Sequence, residues 1–388
     1  MAGRNHLSIP GPTNVPHEIL SAMHVPMEDH RSPDFPKLFK PVLDALKQVF
    51  RTETGQAFVF PATGTAGWEI ALTNTLNPGD KVIIYRFGQF GHLWMSMAKR
   101  LGFDVEVHEV EWGKGIPVDH LEARLKEDSQ HEIKAVLATH NETSTGVTSD
   151  IGGVRLAMNA ANHPALLFVD GVSSIASIEF KMDDWGIDGA ISGSQKGFML
   201  PAGAAILAFS QKALAMTKTS TYPRCFLDLG DQMAQNANGY TPYTPSTPMI
   251  HGLKKSLELL LDEGMEAVYA RHHRLGEGCR RAIAAWGLKL CAHEGFESDT
   301  VSAIVVPEDK NAADVIGVAY NKYNISLGAG LTEVAGKVFR IGHMGDMNDV
   351  SMLGTIAGVE MALLDCGYEL TAGSGVAAAL EYYRSTAG

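Results

Sequence analysis

The chain of 388 residues is 45% hydrophobic and 20% charged, with a formal net charge of −12. Apolar residues recur throughout, which excludes a disordered chain, and the acidity excludes a nucleic-acid binder, which needs a basic face against phosphate. The longest uncharged run near the middle, Gly197 to Gln211, contains Pro201 and falls short of the roughly 20 residues that span a bilayer. Two to three domains are expected at ~150 residues each. The four cysteines (Cys225, Cys279, Cys291 and Cys366) form no CxxC pair, so neither a disulfide framework nor a zinc site is signalled. The opening Met-Ala-Gly-Arg-Asn-His lacks the apolar core of a signal peptide, and a cytoplasmic protein is expected.

In chain order, residues 1–30 form an N-terminal arm in which Pro10, Pro12, Pro16 and Pro26 forbid a long helix. Leu38, Val42, Leu43, Leu46 and Val49 then mark a helix over Pro36–Arg51. Short apolar strands follow at Ala57–Phe60, Lys81–Tyr85, Asp104–Val107, Ala135–Thr139, Ala165–Val169, Gly189–Ser192 and Ala204–Phe209. Helices fit between them at Thr65–Thr75, Phe90–Leu101 and Ile151–Asn162. Such alternation predicts an α/β fold with a mostly parallel sheet between helices, spanning a large domain over 31–260. Beyond Pro245 one long amphipathic helix is expected from Pro248 to His272, continuing towards Trp286, with a hinge between 245 and 275. Strands at Ser302–Val306 and Val338–Ile341, with helices at Ala312–Tyr323 and Val350–Cys366, predict a smaller α+β domain over 261–388.

Three strands end in polar clusters: His140 to Gly146, Asp170 to Ser174, and Gly193 to Gly197. Ligands of open α/β sheets bind outside the carboxyl ends of the strands, so these clusters should converge on one crevice. Asp170 ends a strand of Ala, Leu, Phe and Val, where a lone buried carboxylate is costly; it faces a ligand or caps the next turn. Lys196 stands among small residues with Phe198, Met199 and Leu200 behind it. That setting suits a lysine whose ammonium is destabilised for Schiff-base chemistry, the plain alternative being a loop lysine reaching for solvent. The run Ala62 to Glu69 leads small residues into a helix, which either merely starts that helix or leaves amides open to a phosphate. Phosphate cradle, carboxylate and lysine together are what pyridoxal phosphate requires.

The motifs Pro10 to Asn14, Thr139 to Gly146, Val169 to Ser174, Gly193 to Lys196 and Lys337 to Gly342 span nearly the whole chain. Taken together they resemble the class V aminotransferases, fold-type I pyridoxal-phosphate enzymes, in the serine–glyoxylate and alanine–glyoxylate branch. His30-Arg31-Ser32-Pro33 and the tail Gly373-Ser374-Gly375-Val376-Ala377 look more like the serine type. The resemblance implies that Lys196 bonds the cofactor, Asp170 pairs with its ring nitrogen, and Val172 lies beneath the ring. Thr63, Gly64, Thr65 and Gln195 are implied phosphate contacts, Phe90 a stacking ring, and Thr143 a neighbour of the phenolic oxygen and of substrate. Tyr243 and Thr244 resemble a pair that reaches the phosphate of a neighbouring subunit, which implies a homodimer with shared active sites; Tyr240 could take the tyrosine's part. Arg340 resembles the arginine that holds the substrate carboxylate, with Asn14 beside the substrate and Arg31 as the next candidate clamp.

The activity implied is transfer of an amino group from a small amino acid, serine first and alanine or aspartate next, to a 2-oxo acid, glyoxylate, giving glycine. A cysteine desulfurase needs a nucleophilic cysteine in a small-residue loop, and none of the four sits in one. A nicotinamide dehydrogenase is suggested only by the alternating pattern and glycine-rich turns, without GxGxxG spacing. The 15 histidines, His140, His272 and His273 among them, show no metal-binding spacing and read as packing or surface residues.

Overall fold

The computed structural model describes residues 5–387, so the first four residues of the expected arm lie outside it. A seven-stranded sheet runs in the order Gln56–Phe60, Ala205–Phe209, Gly189–Gly193, Leu166–Asp170, Ile133–Thr139, Lys81–Arg86, Asp104–Glu109. Only Ala205–Phe209 is antiparallel to its neighbours; the other strands share one direction. Strand periodicity builds the two faces directly. Leu167, Val169 and Ala190 enter one apolar core, while Leu166, Phe168 and Ile191 enter the other. The three central strands Leu166–Asp170, Gly189–Gly193 and Ala205–Phe209 are buried at every residue, as strands covered on both sides must be. Register pairs Thr139 with Asp170 and Asp170 with Ile191, so the carboxyl ends are level and their loops meet along one edge.

A second, antiparallel sheet (Lys289–Leu290, Val301–Val305, Val338–Gly342, Gly328–Ala329) carries its own core with the Ala312–Tyr323, Asp349–Asp365 and Ser374–Ser385 helices. The long helix expected from Pro248 is instead two, Thr247–Glu263 and Met265–Ala285. They part at Gly264, whose φ of +85° lies in the left-handed region that glycine adopts without a Cβ penalty. Met265 and Val268 pack into the large core and Leu275 and Cys279 into the small one, so the second helix joins both.

The N-terminal segment is tied down. His6–Leu7 pairs in parallel with Ile325–Ser326, and the Gly342 amide donates to the Ser8 carbonyl at 2.7 Å. Most other expected boundaries fall within one or two residues of those observed, the usual scatter of helix and strand ends. The His17–Met23, Val118–Glu127, Gln211–Met216, Leu229–Asn236 and Ser374–Ser385 helices are additional to those expected. Among the described residues no helix is long and apolar enough to cross a membrane.

The tail motif has a structural purpose. The buried Glu360 carboxylate accepts from Trp286 Nε1 and the Gly375 amide, both at 2.8 Å, and from the Gly373 amide. A Cβ at Gly375 would land 2.3 Å from Trp286 Nε1, so only glycine lets the last helix dock there. Glu360→Ala strands two buried donors and a third, half-buried one, and should destabilise the small domain by about 2–4 kcal/mol. Hydrogen exchange should show early loss of protection in Ser374–Ser385; unchanged protection and an unchanged thermal midpoint would refute this cap.

Candidate active site

Lys196 follows the Gly189–Gly193 strand, in a turn that the N-terminal segment covers. The Thr13 amide donates to the Gln195 carbonyl and the Thr13 hydroxyl to the Lys196 carbonyl, both at 3.1 Å. Gly11, at φ +116°, rests on the lysine: a Cβ there would come within 2.6 Å of Lys196 Cδ, Cε and Nζ. The ammonium donates to the Pro10 carbonyl. Only 8% of the lysine is exposed, and burial brings its pKa down to about 8, with Arg340 adding to the fall and Asp170 opposing it. A useful fraction of this amine is therefore neutral near physiological pH.

Asp170 closes the Leu166–Asp170 strand and accepts from the Val172 amide at 3.0 Å. Burial pushes its pKa up to about 7, Glu142 adding to the rise, while the Val172 amide and the charge of Lys196 restrain it. A buried carboxylate with spare acceptor capacity is a strong partner for a cationic N–H.

The Gly64–Thr75 helix begins at the same edge. Thr63, its N-cap in extended conformation, forms no side-chain cap, and its carbonyl takes the Ala66 and Gly67 amides at 2.9 and 3.3 Å. The Gly64 and Thr65 amides are left open, which with the helix dipole makes an anion cradle. A Cβ at Gly64 would sit 2.6 Å from Val172 Cγ2, so glycine brings this cradle against the loop after Asp170. Gln195 Oε1 is buried without a partner. One cleft is lined by Gly11, Pro12, Thr63, Gly64, Thr65, Trp68, Phe90, Val172, Gln195 and Lys196.

Arg340 approaches from the small sheet; like Asp170 and Thr143 it does not line that cleft, but its charge acts on Lys196. Its side chain donates through Nε to the Ala329 carbonyl at 2.9 Å and through Nη1 to the Thr143 carbonyl at 3.0 Å. It is 7% exposed, forms no ion pair among the described residues, and burial lowers its pKa to about 10, so it stays charged. The nearby Glu142 carboxylate opposes that fall, and a buried guanidinium without a direct ion pair favours an incoming carboxylate. The Thr143 hydroxyl donates to Ser173 Oγ at 2.8 Å, and Ser173 in turn donates to the Asn141 carbonyl at 2.9 Å.

Sequence reasoning gave no role to Glu142, which is fully buried within the His140 to Gly146 cluster. Its carboxylate accepts from the Phe90 and Gly91 amides and from the amide and hydroxyl of Ser144. An acid three residues after the apolar Ile133–Thr139 strand is the one signal the sequence offers.

Other expected site residues lie elsewhere. Asn14 is turned away: its amide donates to the Leu7 carbonyl at 3.1 Å, and it does not line the cleft. Tyr243 and Thr244 are exposed and also absent from the cleft of their own chain; Tyr243 lines a separate apolar groove with Phe226 and Met249. Arg31 donates to the Thr241 and Pro242 carbonyls, bracing the same segment. His272 is a buried neutral histidine bonded to the Val268 carbonyl and the Gly345 amide, with its pKa held at about 3 by burial. His140 is buried beside Phe180 and Trp185, and His273 meets Asp299 at the surface. No cysteine lines the cleft, and burial pushes the Cys279 thiol up to about 12 and the Cys291 thiol up to about 11. No cluster among the described residues could hold a metal ion.

The open Gly64 and Thr65 amides, the buried Asp170 carboxylate and the buried Lys196 amine fit the phosphate, ring nitrogen and carbonyl of pyridoxal phosphate. Comparison with known proteins agrees. The description of the aminotransferase class-V family matches residues 10–347. A serine–glyoxylate aminotransferase of Methylorubrum extorquens is 56% identical over 388 residues, covering 98% of this chain and 96% of the relative. An L-aspartate–glyoxylate aminotransferase of Paracoccus denitrificans is 53% identical over 388 residues, covering 100% and 98%. The crystal structure of a ureidoglycine–glyoxylate aminotransferase from Bacillus subtilis superposes with a TM-score of 0.91 at 28% identity, covering 99% of both chains. The chain thus belongs to the class V aminotransferases, pyridoxal-phosphate enzymes of fold type I.

Proposed function

We propose that this enzyme transfers the amino group of a small amino acid, L-serine first, to glyoxylate, yielding glycine and hydroxypyruvate. The observation that carries the reading is Arg340, a buried guanidinium held by two backbone carbonyls and in no direct ion pair among the described residues. Every substrate of such a reaction brings a carboxylate, and glyoxylate brings little else. The Methylorubrum relative is named for serine and the Paracoccus relative for aspartate, at 56% and 53% identity, which supports serine first with aspartate as the alternative.

Pyridoxal phosphate, when bound, supplies a carbonyl that condenses with amines and a ring that accepts electrons from the substrate's Cα–H bond. Gly64, Thr65 and Gln195 would hold its phosphate, Asp170 would keep the ring nitrogen protonated, and Val172 and Phe90 would contact the ring. Lys196, neutral in part because of its burial, takes the proton from Cα and returns it during transfer. Arg340 orients the substrate carboxylate, and the covered position of Lys196 beneath Gly11 keeps water from the proton in transit.

The second copy of the chain completes the site. Tyr243 and Thr244 are exposed on the surface, Tyr243 with its hydroxyl on Asp231, and that exposure supports a homodimer in which they reach a neighbour's phosphate. Sedimentation should give twice the chain mass for active enzyme, and Thr244→Ala should weaken cofactor retention while leaving the fold intact. A fully active single chain would refute this.

A panel of serine, alanine and aspartate against glyoxylate, read as glycine formed, tests the reaction; serine should give the highest kcat/KM. Arg340→Lys keeps charge and loses the planar fork, so KM for glyoxylate and serine should both rise, by about 2–5 kcal/mol of binding, with the cofactor band unchanged. Values within twofold of wild type would remove Arg340 from this role.

Asp170 gives a pH-dependent prediction for the cofactor-free protein. With a folded pKa of about 7, the native state keeps a proton that the unfolded chain has already released, so stability falls as pH rises from about 4 to about 7. The full cost, roughly 4 kcal/mol, stands above pH 7. Asp170→Asn retains the acceptor for the Val172 amide and removes the charge. It should raise the melting temperature of cofactor-free protein more at pH 8 than at pH 5. A pH-independent difference between the two proteins would contradict this account.

A further inference from the structure

Two helices begin at the carboxyl edge of the sheet beside Lys196, Gly64–Thr75 and Gln89–Arg100, and their first turns are treated in opposite ways. The first is bare. The second is closed from the neighbouring loop: the Gln89 amide donates to Ser144 Oγ at 2.9 Å, and the Phe90 and Gly91 amides donate to Glu142 Oε2 at 2.9 and 3.1 Å. The other carboxylate oxygen, Oε1, takes the Ser144 amide at 3.0 Å and the Ser144 hydroxyl at 2.6 Å. Each of these four partners donates. Helix and loop are pressed together at Gly88, where a Cβ would land 2.2 Å from Glu142 Cγ and 2.6 Å from Ser144 Oγ. Gly88 has φ 177°, which any residue adopts, so it is contact that demands glycine there.

We propose that Glu142 is the positioning residue of this active site, one buried carboxylate that sets the Phe90 ring on one wall and the Thr143 carbonyl, which holds Arg340, on the other. The first half rests on the reading of Phe90 as the stacking ring. Phe90 is a first-turn residue whose own amide is one of the four donors, so the carboxylate fixes its backbone directly. Thr143 lies between Glu142 and Ser144, and both carboxylate contacts to Ser144 fix the turn that presents the Thr143 carbonyl to Arg340 Nη1. The arrangement also selects the anion cradle. With the Gln89 helix already closed by a carboxylate, only the Gly64 helix offers bare amides to a phosphate.

The chemistry of the four donors chooses the test. Glu142→Gln keeps size and shape but turns an NH2 group towards N–H donors, so it cannot satisfy them all. Gly88→Ala leaves the carboxylate in place and pushes helix and loop apart, so it should give the same phenotype by a different route. In the full-length enzyme loaded with pyridoxal phosphate, both variants should keep wild-type far-ultraviolet dichroism. Both should lose at least about tenfold in cofactor affinity, about 1.4 kcal/mol, and shrink the visible dichroism of the bound cofactor. KM for glyoxylate should rise more than kcat falls, because the Arg340 wall is displaced and Lys196 is not. Phe90→Ala separates the two readings. If Phe90→Ala leaves the visible dichroism unchanged, the stacking role fails, and the Glu142 proposal then stands or falls on KM for glyoxylate alone. If Phe90→Ala reduces the dichroism while Glu142→Gln and Gly88→Ala leave dichroism and KM at wild-type values, Glu142 has no positioning role.

Discussion

Desolvation of charge at one edge of the sheet governs this structure. Lys196, Asp170, Glu142 and Arg340 are all withdrawn from water, and in every case burial is the largest influence on proton affinity. Direct ion pairs do not offset the cost. Backbone groups do: the Pro10 carbonyl for Lys196, the Val172 amide for Asp170, the Phe90, Gly91 and Ser144 amides for Glu142, and the Ala329 and Thr143 carbonyls for Arg340. A backbone dipole solvates a charge without cancelling it, so each group keeps the capacity to act on a ligand. A parallel sheet provides such dipoles at its carboxyl edge, where strands end in level register and their loops expose amides and carbonyls together.

The same reasoning explains why the small domain is part of the site. Arg340 sits in its Val338–Gly342 strand yet spends one bond on Thr143 of the large domain. Close by, Asn141 donates to Thr300 Oγ1 and Thr300 donates to the Ser173 carbonyl, each at 3.0 Å. The Ser298 amide donates to the Gly146 carbonyl at 2.9 Å. Thus the loop after Ile133–Thr139 is built half by its own strand and half by the second domain. The N-terminal segment adds a third tie, pairing with Ile325–Ser326 at one end and lying on Lys196 at the other. Relative motion of the domains would change the setting of Arg340 and of the cover on Lys196 together.

Strand-ending polar clusters made the centre of the site legible in the sequence, because a polar residue terminating an apolar strand has few places to go. Lys196 and Asp170 lie at the carboxyl edge where that logic put them, and Lys196 shares one cleft with Gly64 and Thr65 of the small-residue helix start and with Val172, which only the family resemblance singled out. The break at Gly264 was not legible, since hydrophobic spacing continues across it and only the backbone angle reveals the turn. Asn14 was assigned by its neighbourhood in a motif, whereas its amide is consumed by the Leu7 carbonyl seven residues earlier. Glu142 was hidden for the opposite reason: its partners are backbone amides of a segment some fifty residues earlier, about which side-chain identity says nothing. Long-range bonds to main-chain groups leave no periodicity and no spacing to read.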